Sequence, residues 1–434
     1  MYKTYFKQAW QLMKQNRFYS AIYIAGTGLA IALVMVIAIV YHIKTADIAP
    51  EVNRSRLLLN ESGTAKKKDG SRTINYSLSY QTLKECYYSL KSPELVAASV
   101  SVGQVKRLLG DIYLSIPGSK DKYTADISGT DADYWQVFSF SFLEGKPYNT
   151  EEFESGYHKA VLTEGMARKL FGSVSEISGK SFLINDIEYV VGAIVKDISP
   201  AMTITYADLW IPFTSMPVFT RTEEYENIVG PIRAYILAHK PSDFERIRKE
   251  IEEKRKQYNT QLIDYEFTLE SRPPLSQKQE AIRQIDFSSS SDEIILRYSL
   301  IICVFLLVPA INLSGLMASR MQERIPEIGI RKAFGAGWTT LINQILTENL
   351  FLTLLGGLCG LVVSYGIVLV LSNTLLMSKY SEITSAVSLS PGMLMNFMVF
   401  FYAFMICVVL NLLSSLIPVW NVSRKNIVEA IHDK

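Results

Sequence analysis

Four stretches of this chain stay apolar for about 20 residues or longer: Ala21 to Tyr41, Ile294 to Ala318, Asn349 to Leu371 and Met395 to Trp420. A helix of about 20 residues crosses roughly 30 Å of hydrocarbon. Core helices of soluble domains rarely remain apolar on every face for that length. Hydrophobic residues form 49% of the 434, with 20% charged and a mean hydropathy of +0.15. The sequence therefore predicts four membrane-spanning helices. The first run exceeds the roughly 7–15 residues of a signal-peptide core and follows a flank of 20 residues, so it reads as an uncleaved anchor.

Lysine and arginine orient those helices. Lys3, Lys7, Lys14 and Arg17 precede the first span with no acidic residue among them. Arg320, Arg324, Arg331 and Lys332 follow the second, and Arg424, Lys425 and Lys434 follow the fourth. The connection between the third and fourth offers Lys379 alone. Eleven cations against one place both termini in the cytoplasm of a multi-pass protein of the cell (inner) membrane, with the long second segment outside. Topology accounts for these cations, and a net charge of +2 points to no nucleic-acid partner.

The expected organisation is a cytoplasmic amphipathic helix at 1–19, a first span at 20–42 and an extracytoplasmic α/β domain at 43–293. A second span at 294–318, a cytoplasmic coupling segment at 319–347 and a third span at 348–372 follow. An outer loop at 373–394, a fourth span at 395–420 and a cytoplasmic tail at 421–434 complete the chain. Tyr2, Phe6, Ala9, Trp10 and Met13 recur at helical spacing opposite lysines, which suits a helix lying on the inner surface. A cytoplasmic extension of the first span fits the same residues.

Within the outer domain, Arg56–Asn60 and Leu95–Val102 read as extended and Tyr80–Leu90 as helical. Later, Ile232–Ala238 reads as a strand, Ser242–Gln257 as a charged helix and Leu262–Leu269 as an alternating strand. Two strand–helix–strand units so separated suggest a ferredoxin-like split βαβ, porter-type subdomain. The segment 104–230 between them is a β-rich inserted subdomain with strands such as Ser181–Ile184 and Tyr189–Val195 and one helix, Thr163–Leu170. Ser276–Asp286 is helical and leads towards the second span as a stalk.

Catalytic signals are missing. Gly179-Lys180-Ser181 resembles the end of a phosphate loop, but position 174, where that loop needs glycine, is Val174, so a β-turn is the better account. Asp131, Asp133 and Glu144 have no paired acid–base spacing, and His42, His158, His239 and His432 are scattered. Cys86, Cys303, Cys359 and Cys407 form neither a disulfide framework nor a metal-ligand pattern. No catalytic residue, cofactor or metal is expected. The span interiors carry no ionisable group, with Arg297 and Glu348 near their ends, which argues against a proton relay. Gly356, Gly357, Gly360 and Gly366 in the third span, and Pro309, Asn312, Ser314 and Gly315 in the second, suit bundle packing or a moving or dimerising surface.

The segment between the second and third spans is the richest in function. Pro326 restarts a helix, Glu327 suits its first turn, and Gly335-Ala336-Gly337 ends it. Ile328, Ile330, Arg331 and Phe334 offer apolar and cationic surface, and Trp338, Leu341, Ile342 and Ile345 begin a new amphipathic turn. A short helix held between two spans is a compact lever. A loop held on lipid phosphates by Arg331 and Lys332 is the alternative.

At these residues the chain resembles the FtsX-like permease domain of MacB-type ABC transporters, the type VII group. The matching run is Ile311-Asn312-Leu313, then Glu327-Ile328-Gly329-Ile330-Arg331-Lys332-Ala333-Phe334-Gly335-Ala336, then Gln344 and Glu348. Pro326 stands where the family usually has a basic or polar residue. The outer domain resembles the MacB periplasmic core in Tyr134-Trp135-Gln136-Val137-Phe138, Leu143-Glu144-Gly145-Lys146, Ala160-Val161-Leu162-Thr163-Glu164, Ala167-Arg168-Lys169-Leu170-Phe171-Gly172 and Gly179-Lys180. Phe6-Lys7 to Gly28 also fits.

That resemblance implies a permease that dimerises, with itself or a related subunit. It implies that Glu327–Ala336 is presented to a nucleotide-binding partner and that ATP hydrolysis drives the outer domains. Few residues precede the first span, so the ATPase is expected on a separate cytoplasmic chain, with Tyr41–Lys44 and Ser288–Arg297 carrying motion outward. Export, with a periplasmic adaptor, is one expected role. Rivals are a regulatory subunit that activates an envelope enzyme and a membrane-anchored binding module.

Overall fold

The computed structural model describes residues 10–11, 13–15, 17–221, 224–269, 273–283, 338–377 and 385–394, with scattered residues in 293–334 and 398–413. They fall into two compact units, Met1–His42 with Ser288–Leu375 and Pro391–Lys434, and Ile43–Phe287 with Leu376–Ser390.

Five strands carry the centre of the second unit: β1 (Leu57–Asn60), β2 (Leu95–Val100), β3 (Ile127–Thr130), β4 (Leu209–Pro212) and β5 (Ile232–Leu237). β5 runs antiparallel to both β1 and β2, with Leu237 opposite Leu57 on one side and Leu95 on the other. β1 and β2 are therefore parallel with β5 between them, and a helix at Tyr80–Leu83, continued by a π-helical turn to Tyr88, lies on the chain that joins them. This is a split βαβ arrangement. All four residues of β1 and five of the six in β5 are buried, which is why Leu57-Leu58-Leu59 reads as a continuous apolar run rather than an alternating one.

Three features differ from the expected pattern. In a ferredoxin-like sheet the last strand lies beside β1. Here Tyr265–Thr268 pairs instead with Gly63–Lys67, and the short Leu275–Ser276 takes the edge of β1. The segment 104–230 does not form a separate sheet. β3 pairs with β2 through Ser99–Thr130 and Val100–Gly129, and β4 continues alongside β3, so an edge that would lie open is paired. Nor does one helix interrupt that segment. Val102–Leu109, Tyr134–Val137 and Thr150–Glu154 join Glu164–Phe171. Each spans one or two turns, too short for a helical period to stand out.

Aromatic rings fill the seam around β4. Trp210 meets Phe140 at 5.3 Å and Trp135 at 5.9 Å, both edge to face, and Tyr134 packs on Phe138 at 4.6 Å. Cys86 is buried, and burial pushes its thiol up to about 12, so it packs as a small hydrophobe. Gly179 sits at φ +87 in the turn Ile177–Lys180, closed by the Lys180 amide on the Ile177 carbonyl. The turn reading of Gly179-Lys180-Ser181 holds.

In the first unit, α1 (Arg17–Thr45) and α4 (Trp338–Val370) are long and apolar enough to cross a membrane over Ser20–Thr45 and Leu346–Val370. The labels α2 and α3 are kept for Phe244–Asn259 and Gln277–Arg283 of the second unit. Backbones of α1 and α4 approach closely: a Cβ on Gly360 would lie 2.5 Å from the Gly28 carbonyl oxygen, and one on Gly28 would lie 3.1 Å from that of Gly356. Phe404 occupies the space beside Gly357, where a Cβ would lie 2.3 Å away. Packing inside this unit thus accounts for three of the four glycines, and Gly366 has nothing within 4 Å among the described residues. The second and fourth apolar segments lie largely outside the described residues, as does Tyr2–Ala9. Glu348 lies inside α4 and is buried.

Candidate functional site

The last turn of a helix leaves carbonyl oxygens without intrahelical donors, and a cation there is favoured by the dipole. At the end of α1 those oxygens are met by side chains from elsewhere in the second unit. Arg54 Nη1 donates to Ile43 O at 2.6 Å and to Ala46 O at 3.1 Å. Gln277 Nε2, at the start of α3, donates to Lys44 O at 3.2 Å. Arg54 also donates from Nε to Glu51 Oε2 at 2.7 Å and from Nη2 to Met202 Sδ at 3.1 Å. The other Glu51 oxygen accepts from the Thr205 amide and hydroxyl at 3.2 and 2.9 Å.

Arg54 is 3% exposed and Glu51 1%, so both charges are out of water and fully engaged. Only a planar guanidinium reaches two carbonyls, a carboxylate and a thioether at once; a lysine ammonium cannot. The result is a clasp that joins the end of α1 to the turn Met202–Tyr206 and to α3. Of Tyr41–Lys44, Ile43 and Lys44 supply carbonyls to this clasp, whereas Ser288–Arg297 lie mostly outside the described residues. Arg54 and Glu51 escape a reading of the sequence; the spacing Glu51-Val52-Asn53-Arg54 directly after an apolar span is their one signal.

Of the ten residues expected at the coupling segment, Ile330 and Phe334 are described; Glu327, Ile328, Gly329, Arg331, Lys332, Ala333, Gly335 and Ala336 lie outside. Ile330 is helical and 55% exposed, and Phe334 is 88% exposed with its amide donating to Ile330 O at 3.1 Å.

The model of the MacB-like periplasmic core domain matches residues 20–254, and that of the FtsX-like permease C-terminal matches residues 299–427. The chain belongs to the MacB/FtsX-type ABC transporter permeases. PvdT of Pseudomonas aeruginosa, a pyoverdine export ATP-binding/permease protein, is 26% identical over 405 residues, 90% of this chain and 56% of its own. YknZ of Bacillus subtilis, an uncharacterized ABC transporter permease, is 24% identical over 247 residues, 57% of this chain and 58% of its own. The periplasmic region of MacB from Actinobacillus actinomycetemcomitans aligns over 53% of this chain and 94% of that one, with TM-score 0.34 and 12% identity. The chain spans little more than half the length of the first two relatives.

A second polar feature of this MacB-type permease lies in its outer unit, between the Tyr80–Tyr88 helical segment and the residues after β3. A cleft of about 360 Å³ there is lined by Tyr80, Tyr88, Asp131, Asp133 and Glu154 among others. Asp131 is buried and accepts from the Tyr88 hydroxyl at 2.6 Å and the Tyr134 amide at 2.9 Å. Burial pushes its carboxyl up to about 8, Asp133 adds to the rise, and the two hydrogen bonds oppose it. An unfolded aspartate titrates near ~4. Between that value and 8 the folded chain keeps a proton that the unfolded chain has lost. The contribution is therefore full below pH ~4 and is lost as pH rises through 8. Asp131→Asn, which mimics the protonated acid, should flatten the stability profile between pH 5 and 9. It should raise stability at pH 9 by on the order of a few kcal/mol. Urea unfolding of the full chain in detergent at several pH values checks this.

Proposed function

We propose that this permease couples ATP hydrolysis on a separate cytoplasmic ATPase to movement of its extracytoplasmic domain, as half of a homo- or heterodimer in the cell (inner) membrane. The observation that carries the reading is the clasp. Carbonyls at the end of a long apolar helix are held by a buried, fully hydrogen-bonded arginine, which supports transfer of displacement from that end into the domain it enters. The exposed Ile330 and Phe334 support docking of the Glu327–Ala336 segment on the ATPase. Eleven basic residues on one side of the four apolar segments support the inward placement of both termini.

PvdT's name favours export over activation of an envelope enzyme, and a periplasmic adaptor is then a further proposed partner. Replacing Arg331 and Lys332 with glutamate should abolish co-purification of the ATPase while the permease stays monodisperse. Undiminished ATPase binding by that variant would overturn the docking site.

A further inference from the structure

Residues after the third apolar segment group with the outer unit, which holds Leu376–Ser390 as well as Ile43–Phe287. Leu376 is 2% exposed and stands beside the clasp, in a pocket formed with Lys44, Arg54, Ala201, Thr203, Gln277 and Ala281. Further along, Ser385, Ala386 and Ser388 form part of the wall of a polar cleft of about 500 Å³. Exposure there alternates: Ser385, Val387 and Leu389 are half-buried while Ala386, Ser388 and Ser390 are exposed. Such a period of two is that of an extended segment lying with one face on a surface.

The cleft beneath is built from carboxylates and lysines. Lys106 Nζ meets Asp126 Oδ1 at 2.6 Å, and the Asp126 amide donates to Asp208 Oδ2 at 2.8 Å. Tyr206 donates to Asp126 Oδ2 at 3.3 Å, and a side-chain hydrogen bond joins it to Ser385. Tyr206 belongs to the turn whose Met202 and Thr205 hold Arg54 and Glu51. One short turn therefore touches both the clasp and the segment Ser385–Ser390.

We propose that Ser385–Ser390 is a strap whose docking site is this polar cleft, with Leu376 seated beside the neighbouring clasp. The strap lies between the chain positions 375–376 and 390–391, where the sequence passes from one unit to the other. Its importance for coupling rests on the function proposed above; its docking does not. The partner that the cleft selects is thus an extended, uncharged serine-containing segment of the same chain.

Cysteine labelling of the full chain in lipid nanodiscs tests this, with Cys303, Cys359 and Cys407 replaced by alanine. Val387→Cys should react with a membrane-impermeant maleimide at least about tenfold more slowly than Ser388→Cys, because alternate residues of a docked extended segment face opposite ways. Ser385→Glu adds a carboxylate beside Asp126 and Asp208 and should bring the two rates within about twofold, since like charges at close range repel. Equal rates without Ser385→Glu, or protection of Val387→Cys that survives it, would overturn the strap. No ATPase is needed, so this failure is separate from failure of the docking test on Arg331 and Lys332.

Discussion

Arg54→Ala should destabilise the outer unit by about 3–5 kcal/mol, the range for removing one partner of a buried ion pair. The cost comes chiefly from what is left behind. Glu51 keeps the Thr205 amide and hydroxyl but loses its counter-charge in a site that is 1% exposed. Ile43 O and Ala46 O lose their donor at a helix end where water has little access. Arg54→Lys should recover part of the loss but not all, because an ammonium cannot hold the carboxylate and both carbonyls in one plane. The double change Glu51→Leu with Arg54→Met should cost less than Arg54→Ala alone, since it removes both charges together. Urea denaturation of the full chain followed by tryptophan fluorescence measures all three, with Trp135 and Trp210 in the outer core as reporters. A loss below about 1 kcal/mol for Arg54→Ala would show that the clasp is not a stabilising joint.

Gly360→Leu should separate α1 from α4. The Cβ alone would sit 2.5 Å from the Gly28 carbonyl oxygen and 3.1 Å from Ile31 Cβ, so backbone has to move before any larger side chain is placed. In hydrocarbon there is no hydrophobic gain from helix association, and close backbone contact is a main source of attraction. Overpacking costs about 1–3 kcal/mol in well-packed interiors, occasionally more. The expected result is a fall in thermal stability of the detergent-solubilised chain and loss of the α1–α4 contact, read by spin labels at positions flanking Gly28 and Gly360. Gly366→Leu is the control, because that glycine has nothing within 4 Å among the described residues. Equal effects from the two would assign the fall to helix content rather than to packing.

Much of the outer unit is legible in the sequence where pattern and burial coincide. Ser181–Ile184 is read with its observed bounds, and Ile232–Leu237 and Leu95–Val100 differ from the expected strands by one or two residues, because each carries an unbroken β-prone run between turn residues. The charged helix appears as Phe244–Asn259, whose buried Ile247, Ile251 and Tyr258 recur at helical spacing. Tertiary choices are less visible. Which strand takes the edge of β1 depends on pairing between Tyr265–Thr268 and Gly63–Lys67, segments nearly 200 residues apart, and no local pattern ranks that partner against β1.

The clasp is hidden for the same reason. Glu51 and Arg54, three apart, look like an ordinary exposed pair after a membrane segment. Their burial is set by Met202 and Thr205, separated from them by 148 and 154 residues, and by Gln277, 233 residues beyond Lys44. The coupling segment shows the opposite balance. Its helix breakers and apolar–cationic composition are plain in the sequence, and its described residues, Ile330 and Phe334, add exposure.

α1 is 29 residues long without an internal proline. At 1.5 Å per residue it measures about 43 Å, well beyond a hydrocarbon layer of roughly 30 Å. The excess is more than two turns of stiff rod, and carbonyls at its end are held by the Arg54 guanidinium. Under the proposed coupling, axial roll of this rod would load the Arg54 hydrogen bonds in torsion, so sensitivity to helix register should exceed sensitivity to lipid thickness.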